Sequence, residues 1–243
     1  MNLSVLAQEY ARAVLRDPGQ FLKRAPARDC PVCGFEGRFL SVGPRPEARC
    51  PNCSSKERDR IMGLYLEREG IVMEGQRVLH FSAERPFFRQ WKHNPDYVAG
   101  DVKRSSVANA VVDIRALQYP DNHFDRVICH HVLEHVVEDE IGMRECFRVL
   151  KPGGYAFFSV PLDSQRETTW EPPEGMPTEE IERICGRYHV RLYGRDFTDK
   201  LAQAGFRIEP VSFTPEEGER HRLTERHSGP LQGLDQIFVG RKD

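Results

Sequence analysis

Apolar positions repeat in two rhythms along this chain. Near the start, Leu3, Leu6, Tyr10 and Val14 fall at spacings of three and four, which predicts an amphipathic helix over 3–16 that Asp17-Pro18-Gly19 ends. Residues 29–53 form a short stretch rich in proline and glycine that holds paired cysteines. Ser54-x-x-Glu57 then reads as a capping box opening a second helix, with Ile61, Leu64 and Tyr65 as its buried face. A linker from Gly70 to Gly75 follows, and the rhythm changes after it.

From Arg77 onward short apolar runs alternate with helical patterns. The expected strands are 77–81, 97–101, 109–114, 126–130, 154–161, 206–213 and 236–240. Helical patterns lie near 86–93, 138–150 and 195–204; Lys151-Pro152-Gly153-Gly154 is expected to stop the second of these. Strand alternating with helix implies βαβ units and a mostly parallel sheet. No clear helix separates the last two strands, so an antiparallel pair is expected at one edge. These patterns divide the chain into residues 1–70, with the N-terminal helix, cysteine module and connecting helix, and residues 71–243, with the sheet.

Composition narrows the picture. With 243 residues, 39% hydrophobic and 30% charged, the chain supports one sizeable core plus a small module. A net charge of −2 gives no case for tight nucleic-acid binding by the whole chain. No apolar run is long enough to span a membrane, and the first residues are too charged for a secretory leader. Seven cysteines, four paired and three scattered (Cys129, Cys146, Cys185), suit a reducing cytoplasm with one metal site.

Cys30-Pro-Val-Cys33 and Cys50-Pro-Asn-Cys53 are separated by sixteen residues. Two such turns place four thiolates around one zinc ion. Four ligands close the site, so the expected zinc is structural rather than catalytic.

The ends of the expected strands carry the candidate ligand chemistry, because ligands of parallel sheets bind at the carboxyl ends of the strands. The first strand ends in Phe81-Ser82, and the turn Ser82-Ala83-Glu84-Arg85-Pro86 has no G-x-G pattern. The second ends in Asp101, a carboxylate able to accept two ribose hydroxyls. The third ends in Asp113-Ile114, where a carboxylate suits an exocyclic amine and an apolar neighbour suits a ring face.

The segment FDRVICHHVLEHV (124–136), a helix, and then FRVLKPGG (147–154) resembles class I S-adenosylmethionine (SAM)-dependent methyltransferases, the group that includes ubiquinone-biosynthesis enzymes; the resemblance covers about residues 77–240. The cysteine segment, with VLHFSAE, HVLEHV and HVRLYGRDF, is similar to a bacterial family of zinc-ribbon methyltransferases. The resemblance implies an α/β fold: a Rossmann-like, seven-stranded, mostly parallel sheet with helices on both faces, plus a small N-terminal zinc ribbon. It implies SAM as methyl donor and S-adenosylhomocysteine as product. Phe81, Ser82, Ala83 and Glu84 would face the methionine part, with Glu84 offered to its ammonium. Asp101 would meet the ribose, Asp113 and Ile114 the adenine, and Cys129, His130 and His131 the floor beside the sulfonium. The usual glycine positions are held here by Ser82, Glu84 and Pro86.

Methyl transfer to a protonated acceptor needs a base or prior ionisation. His131, His189 and His130 are the candidates, in that order, histidine being suited to proton transfer near neutral pH. Residues 163–190 are too long and proline-rich for a plain connector and read as a lid. Trp170 in it, and Arg191 and Tyr193 after it, are candidate substrate contacts. The stretch 216–229, with His221, Arg222, Arg226 and His227, reads as an exposed polar loop.

The expectation is therefore a cytoplasmic enzyme, monomer or homodimer, methylating a small molecule of natural-product, sugar or cell-surface metabolism. One alternative is an RNA (rRNA base) methyltransferase gripping RNA with the ribbon region, whose Lys23, Arg24, Arg28, Arg38, Arg45, Arg49, Lys56, Arg58 and Arg60 are interleaved with acids. A second is a non-catalytic SAM-binding or scaffold protein.

Overall fold

The computed structural model describes residues 28–43, 45–209, 211–223 and 236–243, six isolated positions before them, and the backbone of 225–226 and 233–234. The helix expected over 3–16 lies for the most part outside the described residues, as do Lys23, Arg24 and His227. The chain divides into two compact units: Met1–Gly70 with Phe213–Thr224, and Ile71–Ser212 with Glu225–Asp243. The segment 213–224, expected with the sheet, thus belongs to the first unit. Among the described residues no helix is long and apolar enough to cross a membrane.

In the first unit, strands β1 (Arg28–Asp29) and β2 (Glu36–Gly37) pair antiparallel around the first cysteine turn, and β3 (Leu40–Val42) pairs with β4 (Arg45–Arg49) ahead of the second. The two turns are built alike. Gly34 N–H donates to the Cys30 carbonyl at 2.8 Å and Ser54 N–H to the Cys50 carbonyl at 2.9 Å. Gly34 and Ser54 both adopt the left-handed backbone, at φ 68° and 71°. Because Ser54 completes this turn, it does not cap the helix that follows. The helix runs Glu57–Arg68, and Asp59 accepts the Lys56 N–H at 2.8 Å, two residues later than the expected box. Ile61, Leu64 and Tyr65 are buried as its periodicity requires.

Arg60 holds this unit together. Its guanidinium is fully buried and donates to four backbone carbonyls, those of Ala48 (3.0 Å), Ser55 (2.9 Å), His221 (2.7 Å) and Arg222 (2.8 Å). Arg28, also buried, donates to Glu47 and Glu219. His221 is buried and its Nδ1–H donates to the Asp29 carbonyl. Within the stretch read as an exposed polar loop, Glu216, Glu219 and Arg220 are exposed, whereas His221 is buried and Arg222 half-buried because Arg60 takes their backbone carbonyls.

The second unit is a seven-stranded sheet in the order β10-β13-β9-β8-β5-β6-β7. Its strands are β5 (Val78–Phe81), β6 (Tyr97–Asp101), β7 (Ala110–Val111), β8 (Phe124–His130), β9 (Leu150–Ser159), β10 (Arg207–Glu209) and β13 (Phe238–Arg241); the short β11 (Glu225–Arg226) and β12 (Gly233–Leu234) pair apart. All neighbours are parallel except β13, which lies antiparallel between β9 and β10. Lys151-Pro152-Gly153-Gly154 ends the Asp139–Val149 helix but lies within β9, as an irregularity in its pairing with β8. The third strand closes after Val111, so Asp113 and Ile114 stand beyond it rather than in it.

Alternation along the strands sends successive side chains to opposite faces. Leu79, Phe81, Val127, Cys129, Ala156 and Phe158 share one core cluster with Met143 and Cys146 of the 139–149 helix and Phe197 and Leu201 of the Phe197–Gln203 helix. On the opposite face His80 lies 6.3 Å from the Phe87 ring and 6.0 Å from the Trp91 ring of the Arg85–Trp91 helix. Replacing Arg60 by Met should cost about 3 kcal/mol or more, since buried carbonyls lose their donor. Thermal unfolding and limited proteolysis of the first unit will measure it.

Candidate functional site

Three parallel strands end side by side, and a cavity of about 440 Å³ lies over their carboxyl ends. Phe81 closes β5, and Ser82 turns the chain away at φ 46°, its N–H donating to the Gly100 carbonyl at 2.8 Å. Ser82 Oγ donates to Asp101 Oδ2 at 3.2 Å, which orients the carboxylate at the end of β6. A Cβ on Gly100 would come within 2.9 Å of Val112; the glycine lets Val112 close in and line the cavity. His131 turns away from β8 at φ 51°, its N–H held by the Ser159 carbonyl at 2.7 Å. Two non-glycine residues in a costly backbone region thus flank one cavity, a placement typical of functional sites.

The walls are mixed. Val102, Val112, Ile114, Val132, Val136 and Val137 give an apolar lining, and Val102 and Val137 remain exposed. Asp113 is clamped by Arg115, whose backbone N–H (2.9 Å), Nε (3.1 Å) and Nη2 (2.8 Å) all donate to it, while Nη1 reaches Glu138 at 2.9 Å. The Arg115 bonds hold the Asp113 carboxyl below its ordinary value, so it is ionised at neutral pH.

Beside the cavity lies a buried polar cluster. Tyr97 Oη donates to His80 Nδ1 and His80 Nε2–H donates to Glu84 Oε2, both at 2.9 Å. His130 Nδ1 lies 3.6 Å from Glu84 Oε1, and both His130 ring nitrogens are buried without a hydrogen bond. Burial alone would raise the Glu84 carboxyl; His130 and His80 outweigh it and hold the group well below the usual carboxylate range. Burial keeps His80 low and pushes the Tyr97 phenol up.

Of the residues singled out in the sequence, Phe81, Ser82, Asp101, Asp113, Ile114 and His131 line the cavity. Ala83, Glu84, Cys129, His130 and His189 do not. Glu84 points inward to the histidines and is not an open ammonium partner, and the Cys129 side chain is fully buried in the core cluster. Gly100, Arg115 and the 135–137 segment line the cavity without having been singled out for it; Arg115 follows Asp113 by two residues, and that spacing was the available signal.

Two of the candidate substrate contacts, Arg191 and Tyr193, are buried and bonded within the fold. Arg191 is buried, donates to the Val137 carbonyl at 2.8 Å and to Glu171 at 2.7 Å, and lies 3.4 Å from Asp139. Tyr193 is fully buried and donates to Asp139 Oδ2 at 2.7 Å. Trp170 exchanges backbone bonds with Leu192 (2.8 and 3.0 Å). These residues tie the 163–193 connection to the 133–139 segment that walls the cavity.

Residues 87–158 match the family described as a methyltransferase domain. The likeness is to methyltransferases. A probable S-adenosylmethionine-dependent methyltransferase of Mycolicibacterium smegmatis is 30% identical over 142 residues, 56% of this chain and 51% of that protein. The ubiquinone/menaquinone biosynthesis C-methyltransferase UbiE of Yersinia enterocolitica is 42% identical over 60 residues, 24% of each chain. This chain thus spans about half or less of the curated relatives' length. Among solved structures, the [4+2]-cyclase SpnF aligns with a TM-score of 0.47 at 22% identity, over 82% of this chain and 71% of that one. The family model and these curated relatives are all methyltransferases.

Arg191→Ala should destabilise by about 3 kcal/mol, because buried Asp139 loses its cation. Proteolysis within 163–190 should accelerate at unchanged secondary-structure content by circular dichroism.

Proposed function

We propose that this protein transfers a methyl group from SAM to a small-molecule acceptor, releasing S-adenosylhomocysteine, and that its first unit holds a structural zinc ion. One observation carries the first statement: two ionisable carboxylates, Asp101 and Asp113, stand at neighbouring strand ends in one cavity with an apolar wall. Asp101, oriented by Ser82, suits the ribose hydroxyls, and Asp113 with Ile114 suits the adenine.

Bound there, SAM supplies an electrophilic methyl group on a sulfonium. The chain supplies alignment and exclusion of water. His131 is the base this geometry favours, being the candidate of the three that lines the cavity. Its Nδ1–H donates to Glu134 Oε1 at 3.1 Å, which fixes the tautomer and leaves Nε2, 3.4 Å from Ser159 Oγ, to take the acceptor's proton. His130 and His189 are set aside by their positions.

The RNA-binding alternative loses support from the first unit. Arg28, Arg45 and Arg60 are engaged with Glu47, Glu219, Glu57 and backbone carbonyls, not presented as a phosphate-binding stripe.

For zinc, the sulfurs themselves are the support. The four thiols lie within 4.8 Å of one another, with Cys30–Cys53 at 3.7 Å and Cys33–Cys50 at 3.8 Å. A tetrahedron with bonds of about 2.3 Å has edges of about 3.8 Å. Asn52 Nδ2 donates to the Cys33 sulfur and Ser55 N–H to that of Cys53, which suits thiolates.

Calorimetry should show SAM or S-adenosylhomocysteine binding in the micromolar range, with Asp101→Ala weakening it by roughly tenfold or more through lost charge-assisted bonds. Absence of heat with both ligands overturns the catalytic proposal. Elemental analysis should find zinc bound through the thiolates at about one ion per chain, released when a mercurial titrates them.

A further inference from the structure

A second cluster of ligand-type side chains lies in the sheet unit. The Glu134 carboxylate and the rings of His135 and His189 bring one donor atom each within 4.8 Å of one another. Glu134 is 1% exposed, yet only one of its oxygens is bonded: Oε1 takes the His131 N–H, while Oε2 is buried with no hydrogen-bond partner. A buried carboxylate in that condition is costly unless a cation compensates it. Arg191, the nearby guanidinium, is directed at the Val136 and Val137 carbonyls, Asp139 and Glu171 instead.

Both histidines are set in a ligand's tautomer. His135 Nδ1–H donates to the Tyr188 carbonyl at 2.9 Å, and His189 Nδ1–H to the Cys185 carbonyl at 2.6 Å. Each ring therefore keeps an unprotonated Nε2, and bonding of the other nitrogen to a backbone carbonyl is the usual orienting device of metal-bound imidazole. The supporting backbone is shaped for this. Tyr188 sits at φ 64°, and Gly186 at φ 106° leaves no Cβ, which would stand 3.0 Å from the His189 ring. The Val190 N–H donates to the Glu134 carbonyl at 2.8 Å and joins the two segments.

The geometry points to a divalent transition-metal site formed by Glu134, His135 and His189. Two imidazoles and one carboxylate favour zinc or iron(II) over magnesium or calcium, which seek oxygen ligands. Three protein ligands leave positions open to water or a small oxygen ligand, unlike the closed cysteine set. His135 also lines the cavity, so the ion borders it. The site stands whether or not SAM binds.

The test is metal content of the full chain after equilibration with Zn2+ and removal of excess, for the wild type, Glu134→Gln and His189→Ala. The difference between wild type and each variant isolates this site, whatever the cysteines hold. Wild type should retain about one ion per chain more than either variant. Zn2+ affinity at this site should fall at least about a hundredfold in Glu134→Gln, the upper end of what loss of a mere outer-shell partner costs. Cobalt substitution gives a second readout: the wild type should show d–d absorption beyond that of the cysteine site, an addition that Glu134→Gln lacks, with thiolate charge-transfer bands equal in both. Glu134→Gln keeps the side chain's shape and its acceptor for His131, so it decides the question even where His189→Ala fails to fold. Equal metal content and equal cobalt spectra in wild type and Glu134→Gln overturn the proposal.

Discussion

The carboxylate of Glu84, buried between His80 and His130, organises the cavity end of the sheet. It anchors to β5 through His80, faces β8 through His130, and precedes the first residue of the Arg85–Trp91 helix. A glycine-rich turn reaches such an arrangement by giving the backbone freedom. Here side-chain electrostatics do the corresponding work. The Tyr97–His80–Glu84 chain fixes where the turn after β5 goes, and Ser82 takes the left-handed backbone beside it. The position of Asp101 follows, because Ser82 is bonded both to the Gly100 carbonyl and to the Asp101 carboxylate.

The cavity's other wall depends on longer reaches of chain. Asp139, at the start of the 139–149 helix, receives Tyr193 and stands beside Arg191, and Arg191 binds the carbonyls that lead into that helix. The 133–137 segment is thereby held from the side of the 163–193 connection, and it carries the valines and His135 that face the cavity. A connection that looked like a surface for substrate works as a brace for the wall.

Much of this was legible in the sequence because local chemistry decides it. Two C-x2-C turns need only their own backbone, and the strand–helix alternation follows from apolar period. Asp101 could be placed because the end of its strand is visible as the end of an apolar run, whereas the third strand stops two residues short of Asp113. What stayed hidden depends on partners far along the chain. Glu84 looks like an open partner for an ammonium group until His80 and His130 are known to flank it. Arg191 and Tyr193 look like substrate contacts until Asp139, more than fifty residues earlier, takes both. Lys151–Gly154 reads as a stop because proline and glycine punctuate chains, but a strand tolerates them at an irregularity.

The return of Phe213–Thr224 to the first unit has a consequence for how this architecture arises and changes. The chain passes between the two units three times: after Gly70, after Ser212 and after Thr224. A gene fusion that added only residues 1–70 to an existing sheet domain would bring Arg28 and Arg60 without Glu219 or the 221–222 carbonyls they bond. The bonding of the cysteine module thus depends on two stretches of chain far apart in sequence. Removing Phe213–Thr224 alone would leave the buried guanidinium of Arg60 without two of its four carbonyl acceptors, and Arg28 without Glu219.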